Sequence, residues 1–209
     1  MTMNDIINTS SVSAAQEYRS INDIILNRDK LSTETSNNNQ LNVEYRYGEE
    51  SPLQIKADSD PSNVVSVFDV AQYILAKLDE PCTTMKLHKL LYYCQAWYLV
   101  WEDKPLFKED IEAWANGPVI RTLFNFHQGM YWANPIQLTL GNSSKLNNIQ
   151  QEDINNVLAF YGKKISQWLI DQTHIEAPWR NARKGMLPNE RGNRIITLEA
   201  ISEYYSSLK

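Results

Sequence analysis

Hydrophobic positions recur every three or four residues through most of the chain after residue 66. This spacing is typical of helices that bury one face. It predicts helices over residues 67–79, 84–103 and 151–172, and a final helix beginning at Thr197. Pro118 follows Gly117 and predicts a further short helix running to about His127, since proline is favoured at the first helical position. The pattern therefore predicts a compact domain of about five helices.

The helix predicted over 84–103 has the clearest apolar stripe, which contains Leu87, Leu90, Leu91, Cys94, Trp97, Tyr98 and Trp101. Lys86, Lys89 and Tyr93 fall off this stripe. Either a solvated face or a contact with a partner would account for them.

Alternation of apolar and polar residues is confined to short stretches. Ile111 to Trp114 predicts a short extended segment, and residues 135–140 predict a strand that ends in the turn at Gly141. The fold class predicted is therefore mainly α (α+β), with a small β element in a helical domain.

Residues 1–62 differ in composition from the rest of the chain. They are rich in Asn, Ser, Thr and Asp and contain no Trp or Phe, whereas all six tryptophans lie later. We therefore divide the chain into a polar N-terminal extension, 1–62, and a helical domain, 63–209. Within the extension, residues 14–25 have helical spacing and residues 41–47 alternate. A mobile tail, an arm ordered by a partner and an arm docked on the domain therefore all remain open.

The charge divides at the same boundary. Residues 1–62 hold ten acidic and five basic residues and so carry the whole formal charge of -5. A neutral domain with an acidic extension argues against general binding of a phosphate backbone and favours a basic or hydrophobic protein partner. The loop 178–194, with five bases and one acid, keeps a nucleic-acid-binding autoregulator as the alternative.

Residue patterns that carry catalytic chemistry are missing from the sequence. The three histidines are not spaced for a shared metal, and the seven glycines form no phosphate-binding loop. We therefore expect no enzymatic activity, no cofactor and no metal. The longest apolar run is six residues, Ala96 to Trp101, against about 20 for a membrane-spanning helix, so we expect a cytoplasmic protein with Cys82 and Cys94 reduced.

Two stretches resemble a known family. The first is Leu87-His88-Lys89-Leu90-Leu91-Tyr92 followed by Ile111-Glu112-Ala113-Trp114 and Gly117-Pro118-Val119, and the second is residues 173–183, which contain Pro178-Trp179. Both are similar to motifs of the Panacea domain, the antitoxin module of SocA-like and GepA-like proteins. The likeness extends over about residues 65–205. His88 stands where the family often has glutamine.

The resemblance implies a non-enzymatic antitoxin that binds a cognate toxin, in some members by also delivering the toxin to a protease such as ClpXP. A phage or prophage protein that inhibits a host defence factor is a further possibility, and the oligomeric state stays open. The acidic extension and a groove near Trp114 are the candidate surfaces. The candidate partner-binding residues are Lys86, Lys89, Tyr93, Trp114, Gly117, Pro118, Trp179, Arg180 and Arg183.

Overall fold

The computed structural model describes residues 65–133 and 140–208. The first helix, α1, is Val67–Lys77. Ser66 caps it in a capping box with Asp69, as its Ser-x-x-Asp spacing indicates. The predicted helix at 67–79 is confirmed, although it ends two residues earlier than expected.

The second helix, α2, is Thr84–Glu102, and Thr83 caps its N-terminus by accepting the backbone N–H of Lys86. It lies at the centre of the domain and packs against α1 and, later in the chain, α4 (Asn148–Tyr161), α5 (Ser166–Ile175) and α7 (Leu198–Ser206). Every residue from Leu87 to Leu99 is buried. The prediction that this helix has one exposed face is therefore wrong, because neighbours surround it on all sides.

Two small antiparallel sheets flank this helix. Strand β1, Cys82–Thr83, pairs with β4, Trp132–Ala133. Strand β2, Ile111–Trp114, pairs with β3, Gly117–Ile120, through a two-residue turn. The chain at 194–196 runs along the other edge of β2, where the N–H of Ile196 donates to the carbonyl of Ile111 at 2.8 Å.

Pro118 does not begin a helix. It lies in β3 opposite Ala113, and the following helix, α3, is Arg121–Phe126. Gly117 adopts φ +95° and so closes the hairpin in a backbone conformation that suits glycine. The Gly-Pro pair therefore belongs to a β-hairpin, and the helix starts three residues later than predicted.

The helix predicted over 151–172 is divided in two. Helix α4 ends at Tyr161 with Gly162 as its C-cap, and Ile165 takes an extended conformation before α5 begins at Ser166. Glycine has a low helix propensity, which favours a helix end at Gly162. A 3₁₀ turn at Ser143–Lys145 precedes α4, and the short helix α6, Ala177–Ala182, follows α5.

The described residues form seven α-helices with two small sheets, so the mainly α class is confirmed and the predicted number of helices is too low. The final helix predicted from Thr197 is confirmed as α7, which begins at Leu198 with Thr197 as its N-cap. Cys82 and Cys94 are buried free thiols. No helix in the described ranges is both long and apolar enough to cross a membrane. Residues 135–139 of the strand predicted over 135–140, and the extension 1–62, lie outside the described residues.

Candidate functional site

Lys89 is the first of several polar side chains buried along α2. Its side chain is 0% exposed, and its Nζ donates to the carbonyl of Pro118 at 2.9 Å. A Cβ at Gly117 would lie 2.6 Å from Lys89 Cε, so the absent side chain makes room for the lysine. Burial lowers the pKa of Lys89 to about 7. The lysine therefore joins α2 to β3 and does not reach solvent.

Glu176 lies at the junction of α5 and α6. It contacts α2 at Tyr93, one helical turn after Lys89. Tyr93 donates to its Oε1 at 3.2 Å and Tyr205 donates to its Oε2 at 2.7 Å. Burial raises the pKa of Glu176 to about 8, although both tyrosine hydrogen bonds oppose that rise. This carboxyl group connects α2 to α7 through two tyrosines.

Two more buried side chains of α2 hold neighbouring parts of the chain in place: Gln95 holds the segment before β2, and His88 holds the end of β3. Gln95 accepts the N–H groups of Leu106 and Phe107 at 3.0 and 3.2 Å and donates to the carbonyl of Phe107. His88 Nδ1 accepts the N–H of Ile120 at 3.3 Å. Burial lowers the pKa of His88 to about 3, so its imidazole is neutral.

The loop after α6 is held by Trp179 and Arg183. Trp179 stacks on His174 with ring centroids 4.1 Å apart, and its Nε1 donates to the carbonyl of Trp114 at 2.9 Å. Arg183 is only 6% exposed and donates to the carbonyls of Ala113, Leu187, Pro188 and Glu190. Arg183, a candidate partner-binding residue, is thus buried, and its guanidinium is the donor that satisfies these carbonyls.

An open groove lies beside Trp114. It consists of two adjoining cavities of about 290 and 440 Å³ that share Trp114, Phe124, Arg191 and Gly192. Apolar groups of Met85 and Val119 line the smaller cavity together with His88. The larger cavity is more polar than the smaller one and is also lined by Arg121, Asn125, Gln128 and Asn193. We call the two cavities together the Trp114 groove.

Trp114 is held rigidly in this groove. Its Nε1 donates to Glu112 Oε2 at 2.8 Å, and its ring meets Phe124 edge to face with centroids 4.6 Å apart. Arg121 makes a two-point contact with Glu112 at 2.6 Å and lies 5.3 Å from the centre of the Trp114 ring. A supported aromatic ring of this kind loses little entropy on contact with a partner.

The nine predicted residues thus occupy two different environments. Trp114 lines the groove, Lys86 is half-buried and Arg180 is exposed. The others are enclosed: Lys89, Tyr93, Gly117, Pro118 and Arg183 are buried, and Trp179 is half-buried. Their role in binding a partner stays a prediction. Gln95 and Glu176 were missed, although Glu176 belongs to the second motif stretch, which could have indicated it.

No three His, Cys, Asp or Glu side chains come together as metal ligands in the part of the chain that the structure describes. The buried contacts instead join the quoted motifs to one another: Lys89 meets Pro118, Tyr93 meets Glu176, and Trp179 meets Trp114.

Residues 87–180 match the family model described as Antitoxin SocA-like, Panacea domain. The resemblance read from the motifs is confirmed on this Panacea segment, which is narrower than the range 65–205 expected from the sequence. The family's description is that of an antitoxin, and an antitoxin family implies a toxin as the general kind of partner. No curated protein and no solved structure matches the chain. Tyr205 and Arg183 lie outside the Panacea segment, yet both complete its buried contacts.

Proposed function

We propose that the protein is an antitoxin that neutralises its toxin by direct binding, and that the toxin binds in the Trp114 groove. The observation that carries this proposal is the groove itself, which lies against the Panacea segment and has a rigid tryptophan as its wall. Tryptophan is among the residues most often found to dominate the energy of protein interfaces.

The chemistry of the groove favours a protein partner with both apolar and acidic groups. Met85, Val119 and Phe124 offer apolar contact in the smaller cavity. Arg191 lines both cavities, and guanidinium groups bind carboxylates in well-defined geometry.

We also propose that the protein acts without catalysis. Lys89 and Glu176 have strongly shifted pKa values, which often mark catalytic groups. Both side chains are enclosed by the protein, however, and neither is among the described residues that line the groove. Because both groups act as structural contacts inside the domain, their shifted pKa values favour a binding protein over an enzyme.

The test is co-expression with the product of the neighbouring gene, with growth rescue and binding affinity as readouts. Trp114→Ala should weaken binding about 30-fold or more and abolish rescue, as expected for an aromatic anchor. Trp132→Ala is the matched control, because Trp132 is 53% exposed outside the groove. Loss of binding with Trp132→Ala, and unchanged binding with Trp114→Ala, would show that the groove is not the toxin site.

Delivery of the toxin to a protease such as ClpXP is a separate part of the proposal. It predicts that the half-life of the toxin shortens when the antitoxin is present, and that this effect disappears in cells without the protease. A toxin half-life that does not depend on the protease would leave direct binding as the whole mechanism. If co-purification from the native host instead returned a host defence factor, the same groove would serve a phage or prophage inhibitor.

A further inference from the structure

We infer that, without a partner, the Trp114 groove binds residues 41–50 of the chain's own N-terminal extension, so that the extension and a partner compete for the same surface. The segment reads Leu-Asn-Val-Glu-Tyr-Arg-Tyr-Gly-Glu-Glu.

Charge complementarity is the first argument. Of the described residues that line the two cavities, none is acidic, and Arg121 and Arg191 both line the larger one. Arg121 is already paired with Glu112, so the attraction for an acidic segment rests on Arg191. Arg191 has no hydrogen bond or ion pair with another described residue, so its guanidinium can donate to a carboxylate of the segment. The segment carries Glu44, Glu49 and Glu50 against one base, within an extension that carries the whole net charge of the chain, -5.

The apolar pattern of the segment is the second argument. Leu41, Val43, Tyr45 and Tyr47 alternate with polar residues, so an extended segment would direct all four to one side. The smaller cavity has an apolar lining that suits such side chains. In this arrangement an aromatic side chain enters the cavity while the glutamates that follow Tyr47 reach Arg191.

His88 supplies a third argument, because it lines the smaller cavity with an unused donor. Its Nδ1 accepts a backbone N–H, so the neutral ring carries its hydrogen on Nε2. That Nε2 is buried and has no hydrogen-bond partner among the described residues. A buried donor without an acceptor costs free energy, and a tyrosine hydroxyl oxygen in the cavity would accept this hydrogen.

The length of the connecting chain permits the contact. Residues 51–64 separate the segment from the first described residue and span up to about 50 Å when extended. A folded domain of this size has a radius of gyration of about 15 Å, so the segment can reach any face. A tether of this length gives an effective concentration on the order of 1 mM, so even a weak contact would be occupied.

Photo-crosslinking in the full-length chain tests the contact without any toxin. Benzoylphenylalanine is placed at Tyr47, and the products are mapped by mass spectrometry. We expect crosslinks to peptides that contain Met85, Trp114 or Phe124. The control carries the same group at Ser11, in the same extension, and should not give this pattern. Crosslinks spread evenly over the domain, or formed between isotopically distinct copies, would overturn the inference.

A charge exchange tests the role of Arg191. Arg191→Glu should lower the yield of the Tyr47 crosslink about fivefold, as expected from loss of an ion pair and gain of a repulsion. Adding Glu49→Lys and Glu50→Lys to that variant should restore the yield, with unchanged thermal melting as the check on folding. A yield that Arg191→Glu does not change, or that the double exchange does not restore, would contradict the inference.

These experiments separate the inference from the proposed function. If the crosslinks form but Trp114→Ala leaves toxin binding unchanged, the extension binds the groove and the toxin binds elsewhere. If no crosslink forms but Trp114→Ala abolishes toxin binding, the inference fails while the proposed function stands. A toxin affinity that rises when residues 1–62 are deleted supports the competition, whereas an affinity that falls shows that the extension binds the toxin and contradicts it.

Discussion

Replacing Glu176 with glutamine should change the pH dependence of stability more than stability itself. Glu176 is 3% exposed and accepts hydrogen bonds from Tyr93 and Tyr205. Burial raises its pKa from 4.5 to about 8, so the folded protein holds this proton at neutral pH while the unfolded chain releases it. Glutamine has nearly the same shape and is neutral at every pH.

The sign and size of the effect follow from proton binding. Between pH 4.5 and pH 8 the folded state binds more protons than the unfolded state at this group, so the stability of the parent falls as the pH rises. The slope is about 1.4 kcal/mol per pH unit, which gives about 5 kcal/mol over that window. Near pH 5 the variant should lie within about 1 kcal/mol of the parent, and above pH 8 it should be the more stable protein.

Urea unfolding of both proteins at several pH values between 5 and 9 measures this difference. Glu199→Gln is the matched control, because Glu199 is an exposed glutamate in the first turn of α7. The control should keep a constant offset from the parent. If Glu176→Gln also keeps a constant offset across the range, the carboxyl does not titrate as its burial requires, and the reasoning is refuted.

Three further substitutions test the other buried contacts. Lys89→Met should flatten the pH dependence of stability between about pH 7 and 10.5. In that window the parent gains stability as the pH rises, because its unfolded chain binds a proton at Lys89 that the folded protein does not bind. Equal pH slopes in the parent and the variant would contradict this. Gly117→Ala should cost about 3 kcal/mol or more in urea unfolding, against about 1 kcal/mol for Gly129→Ala, which has a similar φ and open space; similar losses would remove the steric argument. Arg183→Lys should cost about 2 kcal/mol and speed hydrogen exchange in the following loop, while Arg180→Lys should change neither. Unchanged exchange with Arg183→Lys would show that its carbonyl contacts do not hold the loop.

The ends of several elements could be predicted because local chemistry determines them. Ser66 and Thr197 cap their helices through side-chain contacts three residues away, and such spacings are visible in one sequence. The β2 segment was predicted from its short apolar pattern, and the Panacea motifs were recognised from the residues alone.

The sequence-based predictions were wrong where tertiary contacts determine burial or secondary structure. A helical pattern assigns one buried face, but α2 has neighbours on every side, so Lys89 and Tyr93 are enclosed. Arg183 lies in a basic loop of the sequence, but in the structure it is buried and donates to backbone carbonyls, among them that of Ala113, which the sequence does not place near it. Gly117 precedes a proline that could begin a helix, and only the pairing of β3 with β2 excludes that reading.

The Trp114 groove was predicted in position but not in composition. Trp114 came from the motif, whereas Phe124 and Arg191 lie 10 and 77 residues further along the chain and carry no shared pattern. Distances of that kind are set by the fold, so a single sequence gives no signal that these residues meet.

The inward direction of the motif side chains affects how target choice can evolve in this protein. Lys89, Glu176 and their contacts lie in the interior, so exchanging them would alter stability and its pH dependence and would leave the surface that a partner meets unchanged. Residues on the outer rim, such as Asn125, Gln128 and Asn193, carry no such constraint and could be replaced one at a time. One fold could in this way acquire a new binding specificity, and experiments that aim to change the target should randomise that rim first.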